Sequence, residues 1–158
     1  MYNRAYREDD FRNYDVVKWY GAERKELPQS TSFVGYKGEL LMLDAEGKAI
    51  KATAAAKRVF FQWNIMVGVP LTGWDSKASG TVTAIAGAHE ADTLLYDTAA
   101  TFAIDSELTV KEITIEGKTY AGLGLAAAGD RVFAVVDALP ASNRGALRIK
   151  VLDHPYAK

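Results

Sequence analysis

The sequence predicts a mainly β protein, an antiparallel β-barrel or sandwich with an extended or partly helical N-terminal arm. Three observations carry that expectation. From Phe33 onward the apolar runs are short and separated by Gly- and Asp-bearing turns, which gives about eight or nine strands. Those runs are rich in β-branched and aromatic residues, as in VFFQWNIMV at 59–67. Helical periodicity is weak beyond residue 32, which favours antiparallel strands over βαβ units. More than about a third of the residues are expected in strands and less than about a fifth in helix.

Taken in order, residues 1–31 read as the arm and 32–158 as the β-rich domain. Tyr2, Tyr6, Phe11, Tyr14, Trp19 and Tyr20 lie in the first segment among many acids and bases. Their spacings suit one helical face, but the charged flanks make an isolated helix marginal. LPQST at 27–31 reads as a breaker and linker. Large aromatics anchor partner surfaces well, so Phe11, Tyr14, Trp19 and Tyr20 are the expected partner contacts. The opposing expectation is a strap packed on its own domain.

ELLMLD at 39–44 and the run 49–53 read as a hairpin around Ala45–Lys48. Residues 52–58 (ATAAAKR) are the only plausible helical turn or two after the arm. Residues 59–67 are expected to form one dense strand ending at a Gly-Val-Pro corner, and 81–86 and 93–96 two more. Leu108 and Val110 share one parity and Ile113 and Ile115 the other, so a bulge or break is expected near Lys111 and Glu112. A Glu-Gly turn leads into 119–123, and Gly129-Asp130 leads into the valine-rich strand 132–136. Its valines do not alternate with polar residues, so both faces should be covered. In ALRIKVL at 146–152, Leu147, Ile149 and Val151 should face in and Arg148 and Lys150 out. The expected core is Leu41, Leu43, Val59, Phe61, Trp63, Ile65, Val132, Val135, Leu147 and Ile149.

Motifs that carry chemistry are sparse. G-L-G-L-A-A at 122–127 matches a loose dinucleotide pattern. That motif needs a helix after it, and a Gly-Asp turn and another strand leave no room. His89, Glu90 and Asp92 read as an exposed polar turn, since a metal site needs more converging ligands. Asp97 and Asp105 could pair as acid and base, a common feature of β turns otherwise. Trp63 reads as core and Trp74, in TGWD, as an exposed ring able to stack on a sugar or base. No cofactor, no metal and no catalytic set are expected.

The 158 residues suffice for one domain with a core of its own. With no cysteine, disulfides, thiolate zinc sites and cysteine nucleophiles are excluded. Lys and Arg total 19 against 20 Asp and Glu, intermixed, which gives no general field for nucleic acid or an anionic membrane. No apolar run approaches the roughly 20 residues of a membrane-spanning helix. MYNRAYREDD is too polar for a secretory signal, so synthesis in a host cytoplasm is expected.

ELLMLDAEGKAIKAT at 39–53 resembles the segment of lambda-type head decoration proteins in which an apolar strand ends in Leu-Asp before a turn. LLYDTAATFAIDSELTVK, GKTYAGLGLAAAGDRVFAVVD and ALRIKVL follow in an order similar to that of tailed-bacteriophage capsid decoration (cement) proteins. The likeness covers roughly residues 39–152 and is one of order and texture; the first thirty residues have no counterpart. It implies a non-enzymatic virion protein that binds the outside of the assembled capsid and stabilises it. The partners implied are the major capsid protein and neighbouring copies of itself, a trimer being one arrangement. A tail tube or tail-associated subunit is the alternative of the same class. A small β-barrel module or enzyme using Trp74, Asp97 and Asp105 is the alternative of another.

Overall fold

The computed structural model describes residues 6–68, 80–140 and 145–158. Strands make up 54% of the chain and helix 3%, so the protein is mainly β, as the runs and turns imply. The strands are β1 (Tyr14–Trp19), β2 (Glu23–Pro28), β3 (Gly35–Tyr36), β4 (Leu40–Leu43), β5 (Ala49–Lys51), β6 (Phe60–Gln62) and β7 (Met66–Val67). They continue with β8 (Thr81–Ala86), β9 (His89–Thr93), β10 (Glu107–Ile115), β11 (Lys118–Leu125), β12 (Arg131–Ala138) and β13 (Leu147–Ala157). A six-stranded antiparallel sheet runs β1-β9-β13-β12-β10-β11, and a five-stranded one runs β2-β8-β6-β4-β5. β3 and β7 form a small separate pair.

The arrangement is a sandwich. Tyr14, Ala91, Leu108, Leu123, Phe133, Leu147 and Ile149 of the larger sheet pack on Leu40, Phe61 and Ile85 of the smaller. The smaller sheet is covered on its other face too, where Leu27, Phe33, Leu41, Phe60, Val82 and Ala84 form a second cluster. This is why Leu40 and Leu41, and likewise Phe60 and Phe61, are consecutive apolar residues: each pair serves two cores. An isolated parallel bridge between Gln29 and Ala49 brings the ends of this curled sheet together without closing a barrel.

The N-terminal segment departs most from expectation. Residues 14–28 are not an arm set apart from the β body. β1 pairs with β9, and β2 pairs with β8. The two hairpin halves form one bent ribbon that crosses from one sheet to the other at Tyr20–Ala22 and Gly87–Ala88. The Tyr20 N–H donates to the Ala88 carbonyl at 3.0 Å across that corner. Gly87 has φ 96°, and a Cβ there would lie 3.2 Å from Ala22 Cα, so the corner needs glycine. The only helical element seen among residues 6–31 is a 3-10 turn, Phe11–Asn13, capped by Asp10, whose Oδ1 accepts the Arg12 N–H at 2.8 Å.

Other expectations shift with the strand faces. Leu41, Val59, Phe61, Val132, Leu147 and Ile149 are buried, whereas Leu43 and Ile65 are exposed. Trp63 is half-buried against the core, and Val136 rather than Val135 faces in, because the ladder with β13 is regular across Ala134–Val136 and sets Val136 opposite the buried Ile149 and Val135 opposite the exposed Lys150. β10 carries no bulge near Lys111; its register with β11 is unbroken from Leu108 to Ile115. The parity change arises because Leu108 and Val110 face the main core, while Ile113 faces a satellite cluster with Tyr36, Leu95 and Tyr120. Residues 52–58 form turns, not helix, and the strand expected at 93–96 lies earlier, at 89–93. Both faces of β12 are covered at its start, as its valines imply: Val132, Phe133 and Ala134 are consecutive and buried.

Candidate interaction surface

β1 begins inside the protein and ends outside it. Tyr14 is fully buried, stacked on Phe61 with ring centroids 4.9 Å apart. Its hydroxyl lies 2.6 Å from His89 Nε2, and His89 Nδ1 lies 2.8 Å from the Gly87 carbonyl. A carbonyl only accepts, so Nδ1 carries the proton and Nε2 accepts from Tyr14. Burial holds the imidazole below its usual pKa and the phenol above its own. His89 is therefore a neutral core residue in β9, not a member of an exposed turn.

The register of β9 with β13 explains the rest of that acidic stretch. Asp92 lies opposite Arg148 and Glu90 opposite Lys150. The Arg148 guanidinium bonds both Asp92 oxygens, at 2.8 and 3.0 Å. These are cross-strand ion pairs on the outer face, and no metal-ligating cluster occurs among the described residues. Asp97 accepts from Lys111 Nζ at 2.6 Å, a bond that holds its carboxyl below the usual range. Asp105 sits in a left-handed turn with φ 67°. Each acid has a structural setting of its own. Trp74 lies outside the described residues. Gly122 and Gly124 lie within β11 with a turn and β12 after them, so the dinucleotide pattern lacks its helix. A Cβ on Gly122 would lie 2.6 Å from Ile113 Cγ1 and 2.8 Å from the Leu95 carbonyl oxygen, so this glycine serves close packing.

Of the four expected contact residues, the fold brings only Trp19 and Tyr20 together. They are 44% and 50% exposed at the sheet-crossing corner, beside Val17, which is 42% exposed. The Lys18 ammonium lies 5.7 Å from the Tyr20 ring centroid. Phe11, 65% exposed, stands beyond the opposite end of β1. Tyr14 touches no outside surface. The flank is therefore an exposed strand edge with aromatic residues at both ends.

A second polar site surrounds Tyr120, which composition and spacing did not signal. Glu39, wholly buried, accepts the Tyr36 and Ala121 N–H groups, each at 3.1 Å, and pairs with Lys51 Nζ at 3.0 Å. Burial raises its pKa despite the lysine. The Tyr120 hydroxyl donates to Glu8, which also pairs with Lys118 at 3.2 Å. Burial pushes Glu8 up, but these two bonds outweigh it and hold the acid below its usual pKa. Tyr6 packs edge-on against Tyr120, centroids 5.0 Å apart, and burial raises the pKa of both phenols. A cleft of about 350 Å³ opens beside Lys51, Thr53, Glu112 and Tyr120. Its only lysine, Lys51, is taken up by Glu39 and the Thr119 carbonyl. The cluster is a clasp between the sheets: Glu39 precedes β4 in one and grips β11 in the other.

No family model, no curated protein and no solved structure matches the chain.

Proposed function

We propose that this is a non-enzymatic virion structural protein that binds the outside of a tailed-phage capsid and stabilises it. The reading joins the likeness of residues 39–152 to capsid decoration proteins with one observation. That observation is the exposed flank of Val17, Trp19 and Tyr20 on a rigid double-cored β body. Side chains of this kind at an open surface favour a protein partner. The polar clusters of the body support the same reading, because Glu39, Asp92 and Asp97 are each engaged in stitching strands together. Such a body would present its surface to capsid protein and to neighbouring copies while keeping its shape under load.

Gold-labelled protein bound to purified virions, imaged by electron microscopy, tests the proposal. Label over the head is expected, with binding reduced by Trp19→Ala plus Tyr20→Ala. Label confined to the tail would replace this reading by a tail subunit. No label on either would overturn both.

A further inference from the structure

We propose that residues 6–12 are a hinged lid, clasped shut through Glu8, that swings on Asn13 and bares Tyr120 while β1 and the rest of the body stay folded. The inference goes beyond the proposed function and does not depend on it, because a lid is a property of the isolated chain.

Main-chain hydrogen bonds draw the boundary. Among the described residues, those of 6–12 stay within the segment and its hinge. The Asp10 N–H donates to the Arg7 carbonyl and the Asn13 N–H to the Asp10 carbonyl, both at 3.1 Å. The Arg12 N–H donates to Asp10 Oδ1, and Asn13 Nδ2 donates to the Arg7 carbonyl. The segment is thus a turn closed on itself, and it adds no strand to either sheet. Asn13 is where the main chain is first fixed to the body: the residue is wholly buried, and its carbonyl accepts the Leu94 N–H at 3.0 Å. From Tyr14 onward the chain is β1, with a ladder of its own to β9. A residue at the end of an element, anchored on one side only, is where a hinge belongs.

Side chains hold the turn down. The Glu8 carboxylate accepts from the Tyr120 hydroxyl and from Lys118 Nζ. The Tyr6 ring lies edge-on to Tyr120 with centroids 5.0 Å apart. Both fastenings reach a single strand, β11.

Two features oppose the closed position. The Tyr6 hydroxyl is buried without a hydrogen-bond partner, a cost that ends when the ring reaches water. A cleft of about 580 Å³ also lies between the turn and Met66, Ile115 and Lys118, so the seat is incompletely filled. A segment with few buried contacts, no ladder and an unmet polar group belongs to the low-stability end of a fold, where opening is local. Opening takes Tyr6 into water and bares Tyr120, which is 4% exposed with the lid shut.

Trypsin reads the lid at the Arg7–Glu8 bond. Arg7 is exposed, but the protease must lift the half-buried Tyr6 and Glu8 from their seat to cut beside it. Loss of the first seven residues is followed by mass spectrometry on the full chain, beside Tyr120→Phe, Lys118→Gln and Tyr6→Phe. The first two variants alter the seat and leave the cut sequence intact. Tyr120→Phe should speed the cut about tenfold and Lys118→Gln about twofold. Tyr6→Phe removes the unbonded hydroxyl and should slow it about fivefold, after correction by free peptides of residues 5–12. Lys118 is 67% exposed, so its variant keeps the test valid should Tyr120→Phe disturb the body. The cut should also respond weakly to urea, since a lid exposes little surface. A urea dependence as steep as that of global unfolding would overturn the lid. So would a cut as fast as in the free peptide, seat variants that leave the rate unchanged, or a Tyr6→Phe that speeds it.

Discussion

Deleting residues 1–28 should unfold the protein. The deletion removes β1 and β2, and with them one edge strand from each sheet. Tyr14 is wholly buried and Leu27 is 8% exposed. Loss of an aromatic core side chain costs about 3–5 kcal/mol and loss of a leucine about 2–5. Together they withdraw about 5–10 kcal/mol, against about 5–15 for the stability of an ordinary domain. The true loss is larger, because β8 and β9 lose their ladders and His89 loses the Tyr14 hydroxyl inside the core. Thermal melting followed by circular dichroism, on the fragment 29–158 beside the full chain, measures it. The expected fragment shows no cooperative transition. A soluble fragment melting within about 5 °C of the full chain would refute the strap and restore a detachable arm.

Tyr14→Phe keeps the stack on Phe61 but leaves His89 Nε2 buried without its donor, and should cost about 1–3 kcal/mol by urea unfolding. Burial lowers the folded pKa of His89 from 6.5, so the unfolded chain takes up the proton first. This residue's contribution is therefore lost as pH falls below about 6.5, and His89→Gln should flatten the decline in stability between about pH 7 and pH 5. Glu39 works in the opposite direction: its raised pKa means that lowering the pH through its range favours the folded state, so the two are separated only by comparing variants. Gly122→Ala drives a Cβ onto the Leu95 carbonyl and should cost about 1–3 kcal/mol. Gly124→Ala meets the Lys111 side chain first and should cost less, and equal losses at the two sites would show that the close approach at Leu95 is not what matters.

What was legible in the sequence was whatever depends on neighbours along the chain. Leu147, Ile149 and Val151 point inward because one strand alternates, and the Asp44–Lys48 turn forms because the Asp44 carboxylate accepts two N–H groups within four residues. Where a segment serves two surfaces, local pattern misleads. β10 reads as bulged only because its two halves face different clusters, and an unbroken register satisfies both. The N-terminal segment misleads for the same reason on a larger scale. YDVVKW and ERKELP carry too many charges to look like core strands, yet each is an edge strand with one ladder to fill and few side chains to bury. Tyr14 and Leu27 go inward, and the charges stay on the open side. Composition set residues 1–31 apart from the body, whereas residues 14–28 pair into both sheets. The partner for β1 was a histidine-bearing stretch some seventy residues away, paired through Trp19 and His89. Nothing in a single sequence marks that pairing. The Glu39 clasp was hidden likewise, since a glutamate before an apolar strand reads as exposed until Ala121 and Lys51 are brought to it from two other strands. Val17, Trp19 and Tyr20, with Phe11 beyond the other end of β1, are the large apolar side chains that the fold leaves exposed among the described residues of this segment.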